Sequence, residues 1–221
     1  MKKNLLIAIV LIASISFGNL NAQVNGGFKM GVDLSNLRIY DDNNNANDDL
    51  DTKRLITPRL GFFLEVAVND FLFAQVGLYG AAKGFRYKST RTINGVVYDS
   101  KEYEIVASID MPINFGYRHE LGDINLFIMA GPTLSYNTYA TLLYKADDEW
   151  DNDHQTVGTD VTDFIKPFNF GANVEVGLEV NRFQFSTLYS YGFSNLANLD
   201  GLTIRSNAIS FMVAIKFGRV D

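Results

Sequence analysis

The sequence predicts an all-β fold, and three of its features do so. Hydrophobic residues make up 47% of the 221 positions and charged residues 20%, which is enough apolar surface for a core and too little charge for a disordered polyelectrolyte. Seventeen phenylalanines, eleven tyrosines and 18 glycines against four prolines favour strands joined by tight turns. From residue 26 onward, apolar residues recur at every second position, the period of a two-faced strand.

The same composition excludes several classes of function. A formal charge of −6 offers no basic field to displace counterions from phosphates, so nucleic acid is not an expected partner. With no cysteine, disulfides, thiolate metal sites and cysteine nucleophiles are absent.

Residues 1–22 read as a secretory signal peptide. Met1-Lys2-Lys3 is a short cationic start, Leu5 to Phe17 is an apolar run broken only by serines, and Leu20-Asn21-Ala22 offers a cleavage site. The run is too short for a retained helix to cross a hydrocarbon core about 30 Å thick. Cleavage removes Lys2 and Lys3 and takes the chain from −6 to −8. Residues 23–221 then form the mature domain.

Eight alternating segments follow. Gly26 to Ser35 sets Phe28, Met30, Val32 and Leu34 against Lys29, Gly31, Asp33 and Ser35. The second to fifth are placed at Pro58 to Asn69, Phe71 to Lys88, Ile105 to Arg118 and Asp123 to Ala140, the fourth showing the cleanest alternation. Phe168 to Val180 opposes Phe168, Phe170, Val174, Val176 and Leu178 to Asn169, Gly171, Asn173, Glu175 and Glu179. Arg182 to Phe193 and Ala208 to Phe217 complete the set. Connections alternate in length: short turns at 68–71, 119–122 and 180–183, long loops at about 39–55, 89–102, 141–165 and 194–206. This predicts an up-and-down meander with its short turns on one side. The string Val-Asn-x-Phe-x-Phe recurs at Val68 and Val180 and predicts equivalent hairpins. Pro112 and Pro132 fall inside strands, where a missing donor predicts a bulge or bend.

An eight-stranded antiparallel sheet closes into a barrel, because closure removes unpaired edges. The polar face is rich in Gly, Asn and Ser and poor in the Lys and Glu of solvated strands, so it is assigned to a packed lumen and the apolar face to lipid. The expected fold is an all-β, eight-stranded antiparallel up-and-down transmembrane β-barrel. Lys29, Asp33, Arg59, Glu65, Asp110, Arg118, Glu175, Glu179 and Lys216 are predicted to form a lumen-facing polar network with mixed signs that pair internally. Phe28, Tyr117, Tyr136, Tyr139, Phe168, Tyr189, Tyr191 and Phe217 suit interfacial girdles.

Several motifs resemble those of PorT-like outer-membrane β-barrel domains: Tyr103 to Tyr117 with Ile109-Asp110-Met111-Pro112-Ile113, the strand Leu126 to Tyr136 (LFIMAGPTLSY), the glycine-alternating hairpin Phe168 to Ser194, and the closing strand Asn207 to Gly218. Asp110 stands where the family pattern has Glu, and Arg219-Val220-Asp221 follow the last aromatic. The resemblance implies the outer membrane of a Gram-negative envelope and a role in secretion or assembly.

Catalytic chemistry is not expected. His119 and His154, the only imidazoles, fall at opposite ends of the predicted barrel and cannot share a triad or metal. Twelve of the 25 acids lie in two long loops: Asp41, Asp42, Asp48, Asp49 and Asp51, then Asp147, Asp148, Glu149, Asp151, Asp153, Asp160 and Asp163. Asp41-x-Asn43-x-Asn45 begins like an EF-hand loop, but Ala46 replaces the turn glycine and Thr52 the bidentate glutamate. The expected function is a monomeric, non-enzymatic outer-membrane barrel without cofactor or metal. Its partners are outer-membrane lipid and, through acidic external loops, envelope proteins or surface polysaccharide. A small pore and a soluble periplasmic lipocalin-like carrier are the alternatives.

Overall fold

A computed structural model describes residues 24–40, 52–93, 96–146, 149–160, 162–199 and 201–217. Its strands are β1 (Val24–Tyr40), β2 (Lys53–Ala67), β3 (Leu72–Ile93), β4 (Val96–Leu121), β5 (Ile124–Ala146), β6 (Glu149–Gln155), β7 (Phe168–Val180), β8 (Phe183–Gly192) and β9 (Thr203–Phe217). Neighbours run antiparallel in the order β4-β3-β2-β1-β9-β8-β7-β5-β6, and a further β4–β5 pairing closes the ring. Eight strands make the barrel. The short β6 hangs from the end of β5, outside it. The predicted leader, the acidic residues 41–51, and Asp147 and Asp148 lie outside the described residues.

The burial pattern is inside out. Lys29, Asp33 and Ser35 are buried on β1 while Met30 and Val32 are exposed. On β4, Ile109, Met111, Ile113, Phe115 and Tyr117 are exposed and Asp110 and Asn114 are buried; on β7, Val174, Val176 and Leu178 face out while Asn173, Glu175 and Glu179 face in. A water-soluble barrel that encloses a ligand has the reverse arrangement, so the carrier alternative is overturned. An apolar band running round all eight strands far exceeds what a soluble monomer exposes, and lipid is the solvent in which it is stable.

The lumen is not filled by small polar residues alone, as the sequence reading expected. Phe63, Phe73, Tyr79 and Phe127 point inward and are at most 5% exposed. Inward glycines give these rings a floor: the Phe63 ring lies where a Cβ at Gly27 would be, and the Phe73 ring where one at Gly116 would be. The glycine richness of the polar face therefore seats aromatics within a narrow barrel.

Turn chemistry sets the short end. Leu121 pairs with Ile124 and Val180 with Phe183, leaving two-residue turns led by Gly122 (φ 63°) and Asn181 (φ 54°), residue types that tolerate the left-handed region. The Val68 turn differs. Val68 N–H donates to Leu72 O at 2.8 Å, and Asn69 Oδ1 accepts from the N–H groups of Phe71 and Leu72 at 2.9 and 2.7 Å. The loop is one residue longer, which reverses the parity beyond it: Phe73 is buried and Phe185 exposed. The repeated motif thus does not make equivalent hairpins.

Two further expectations are corrected. The β4–β5 and β5–β7 ladders keep one register through Pro112 and Pro132; the shifts fall instead between Ala107 and Ser108 and between Arg54 and Arg59. The spans read as loops at 89–102 and 141–165 are largely strand, since β3 and β4 stay paired to Ile93 and Val96 and β5 pairs with β6.

Gly116→Val forces the Phe73 ring out of its seat. It should destabilise the barrel by about 1–3 kcal/mol, the usual range for overpacking, read as a lower urea midpoint for loss of the fast-migrating unboiled band on a gel.

Candidate functional site

The inward side chains of alternating strand positions meet across the barrel because its radius is small. Near the short turns, Lys216 Nζ lies 2.8 Å from Glu65 Oε1 and 2.7 Å from Glu179 Oε2, and Arg118 Nη2 lies 2.6 Å from Glu65 Oε1 and 3.4 Å from Glu179 Oε2. Gln75 and Gln184 donate to the same two carboxylates at 3.3 and 3.0 Å. Above this square, Lys29 Nζ pairs with Glu175 Oε1 at 2.7 Å. Higher again, Arg59 bridges Asp33 (2.9 Å) and Asp110 (3.1 Å), while Lys83 binds Asp110 Oδ1 and Ser135 Oγ, both at 2.9 Å. Lys29 and Arg118 also lie over the Phe63 and Phe73 rings, at 5.3 and 4.7 Å from the centroids.

All nine side chains singled out in the sequence thus sit in ion pairs inside the barrel. A tenth completes the set: Lys83, 7% exposed, was missed because β3 carries Gln75, Gly77, Tyr79, Ala81 and Phe85 on its inward face and shows no polar parity. A charge count carried the signal, since the nine comprise five carboxylates and four cations. With Lys83 the network holds five of each. Neutrality matters in a low-dielectric site, where an unpaired ion costs several kcal/mol. Cavities of about 20 Å³ lie between these side chains, one lined by Lys29, Arg59 and Glu175 and another by Lys83, Ser135 and Asn169, each with room for about one water.

The long-loop end is closed by a lid. Ile165, Leu196 and Ala197 from the two loops flanking β7 and β8 are at most 2% exposed and pack on the inward Leu37, Phe85, Val106, Ala140 and Ile204. Backbone bonds hold the loops together: Lys166 N–H donates to Leu196 O at 2.8 Å and Asn198 N–H to Phe164 O at 3.0 Å. Asn195 fixes the turn, donating to Leu202 O and accepting from the N–H groups of Ala197 and Ile204 at 2.8 to 2.9 Å.

Glu104 faces the lumen beneath this lid, at the level of Arg86 and Tyr103 and beyond the apolar band of β4. It is 8% exposed and has no hydrogen-bond or ion-pair partner among the described residues. Burial pushes its carboxyl up to about 7. Further out, Tyr144 Oη donates to Asp151 Oδ2 at 2.8 Å. That bond holds the Asp151 carboxyl below its ordinary value and the Tyr144 phenol above its own. His119, which pairs with Leu126 near the short turns, and His154, whose Nδ1 lies 2.6 Å from Tyr139 Oη on the β5–β6 hairpin, are at opposite ends. Among the described residues no group of three His, Cys, Asp or Glu side chains is placed to hold a metal.

Two outcomes follow from these geometries. Lys83→Met leaves Asp110 short of one partner and should cost about 3–5 kcal/mol in unfolding free energy, while pairing it with Asp110→Leu also frees Arg59 and so recovers only part. Glu104, protonated in the fold and ionised in the unfolded chain between its ordinary 4.5 and about 7, removes stability as pH rises through that window. Glu104→Gln should therefore raise the unfolding free energy at pH 8 by about 1–3 kcal/mol, read as a higher urea midpoint, and leave it nearly unchanged at pH 4.

Comparison with known proteins places this architecture. Residues 13–198 match the family model described as outer membrane protein beta-barrel domain. Similar solved structures include the attachment invasion locus protein Ail of Yersinia pestis (12% identity, 88% of this chain and 99% of that one, TM-score 0.35) and Neisserial surface protein A (16%, 86% and 97%, 0.35). The N-terminal β-barrel domain of Pseudomonas aeruginosa OprF is another (9%, 89% and 100%, 0.34). No curated protein matches the chain.

Proposed function

The chain belongs to the outer membrane protein β-barrel domain family, and from that premise we propose that it is a sealed, monomeric, non-enzymatic barrel of the Gram-negative outer membrane that acts through its external loops as a binding or assembly protein of the envelope. The observation that carries this reading is the double closure of the barrel axis. Five cations and five carboxylates neutralise one another across the lumen, and an apolar lid covers the long-loop mouth. Among the described residues the paired charges and the lid interrupt the axis at both levels, so a small pore is disfavoured.

Short turns lie on the periplasmic side of such barrels and long loops outside, which puts β6 and the lid at the cell surface. The surface then offers carboxylates at Asp151 and Asp153 on the same strand as the exposed Trp150, with Asp160 and Asp163 in the loop that follows. Acidic groups with an aromatic anchor suit a basic protein segment better than an acidic polysaccharide. The PorT-like motifs support a secretion or assembly role for such a contact. A closed ring has no free strand edge, which supports the monomer.

Planar-bilayer recording tests the sealed reading. The native barrel should show no steady conductance, and Ile165→Asp with Leu196→Asp, which drives the lid off the mouth, should produce openings. Steady conductance of the native barrel, abolished by neutralising Asp33, Asp110 and Glu175, would establish the pore instead.

A further inference from the structure

The ten charges of the lumen balance, and Glu104, the next inward carboxyl above them on β4, is left over. It shares one cross-strand row with Arg54 of β2, Phe85 of β3, Leu142 of β5 and Asp153 of β6. Adjacent strands lie about 4.8 Å apart, so Arg54 and Asp153 are each two strands away. Arg54 is exposed and donates to Leu34 O at 2.8 Å. Lys83, one inward position below Phe85, is committed to Asp110 and Ser135. The charged groups that the lid adds are Asp160, Asp163 and Lys166, none of them bonded to Glu104. Its carboxyl is 8% exposed and unpartnered among the described residues.

The next row outward joins Tyr87, Glu102, Tyr144 and Asp151. Register puts Glu102, Glu104, Asp151 and Asp153 on one face of the β4–β5–β6 sheet, the side on which Val106 is buried under the lid. Neither row holds a Lys or Arg on β3 to β6. The walls beside Glu104 are apolar: Phe85 belongs to the lid cluster, Tyr87 packs against it, and Leu142 stands on the other side. Burying a carboxyl between such walls without a hydrogen bond is costly, and Glu104 meets that cost by staying protonated up to about pH 7. A positive charge on an apolar stem would satisfy the carboxyl and the walls together. The compact ammonium of lysine on its four-carbon stem suits a place between Phe85 and Leu142 better than the broader guanidinium fork.

We propose that Glu104 is the counter-ion site for a lysine side chain of a partner protein, which enters between the lid and the inward face of β4 to β6 while Asp151 and Asp153 take neighbouring cations of the same basic segment. This depends on the reading of the external loops as a protein-binding surface, and gives that surface one residue type to recognise. The extended strands then have a role as the wall of the site.

Calorimetric titration of the folded barrel in zwitterionic micelles tests it, with an acetylated, amidated peptide of alternating glycine and lysine and the same peptide carrying norleucine for lysine. At pH 8 the lysine peptide should bind saturably and the norleucine peptide should not. Only the ionised carboxyl pairs with the ammonium, so affinity should fall about ten-fold for each pH unit below about 7. Binding at pH 6 should release a proton, read as a heat that depends on the ionisation enthalpy of the buffer. Glu104→Gln, which keeps the shape of the side chain, should weaken binding at pH 8 about ten-fold and flatten the pH profile. Asp151→Asn with Asp153→Asn should weaken it less and preserve the profile. Unboiled gel migration verifies that each variant is folded. Unaltered affinity and pH profile in Glu104→Gln overturn the proposal, and loss confined to the aspartate variant then leaves the surface reading standing. A native barrel that ignores the lysine peptide overturns this site and the basic-segment reading together. Cadaverine, a free five-carbon diamine, is the third probe: its binding through Glu104 with the peptide excluded overturns the protein partner in favour of a free amine.

Discussion

Backbone groups facing hydrocarbon have no water to bond, and this constraint organises the whole molecule. Closing β1 on β9 and β4 on β5 satisfies every strand edge of the ring with another strand. Once the ring is closed, one face of each strand must meet lipid and the other must fill a narrow centre. The ion pairs follow from that second demand. Charged side chains in a centre of low dielectric persist only when partnered, and the square of Lys216, Arg118, Glu65 and Glu179, with two glutamines supplying further donors, spreads each charge over several neighbours. Its components come from β2, β3, β4, β7, β8 and β9, so the network also ties distant strands together across the barrel. Buried pairs of this kind add little net stability, yet they penalise a shifted register heavily, because a one-residue slip would turn these ions into lipid.

The aromatic rings complete what the ions cannot. Salt bridges leave gaps where the side chains diverge, and Phe63, Phe73, Tyr79 and Phe127 occupy them by lying on inward glycines. Packing and neutralisation are thus interleaved along the axis. At the long-loop end the lumen gains an apolar cluster of Leu37, Phe85, Val106, Ala140 and Ile204, and there the loops around Ile165 and Leu196 cover it. Glu104, an unpartnered carboxyl at that boundary, marks where the polar interior stops.

Much of this was legible in the chain. Parity on Gly26 to Ser35, Ile105 to Arg118, Phe168 to Val180 and Ala208 to Phe217 identified the lipid face, because in those segments the inward residues are small or charged and the contrast is high. It failed on the third strand, whose inward face is Phe73, Tyr79, Ala81 and Phe85, so both faces read as apolar and Lys83 disappeared among them. The strand extensions were illegible for the opposite reason. In Lys101-Glu102-Tyr103-Glu104 and in Glu149 to Gln155 both faces carry polar residues, and hydropathy has no period to detect; only the carboxylates recur at every second position. The lid could not be read at all, since Ile165, Leu196 and Ala197 are isolated apolar residues in polar loops and their common destination is set by the barrel's tertiary closure.

Charge sign therefore carries information along this chain that hydropathy does not. Inside the band the lumenal charges cancel, so the net negative charge resides beyond it, on the inward faces of the extensions and in the loops. Outward positions at the same level hold cations. A barrel wall that is apolar in hydrocarbon, basic and aromatic at the next level, and acidic where the loops fold back over the mouth, matches in order the layers a surface protein crosses: acyl chains, phosphorylated headgroups and water. Burial of the apolar band sets the depth to within the thickness of the core, and a displacement inward would strand the outward cations beyond it in hydrocarbon. With its depth held in this way, the paired β5–β6 hairpin carries Asp151 and Asp153 beyond the apolar band, which is what a loop that recognises a partner outside the bilayer requires.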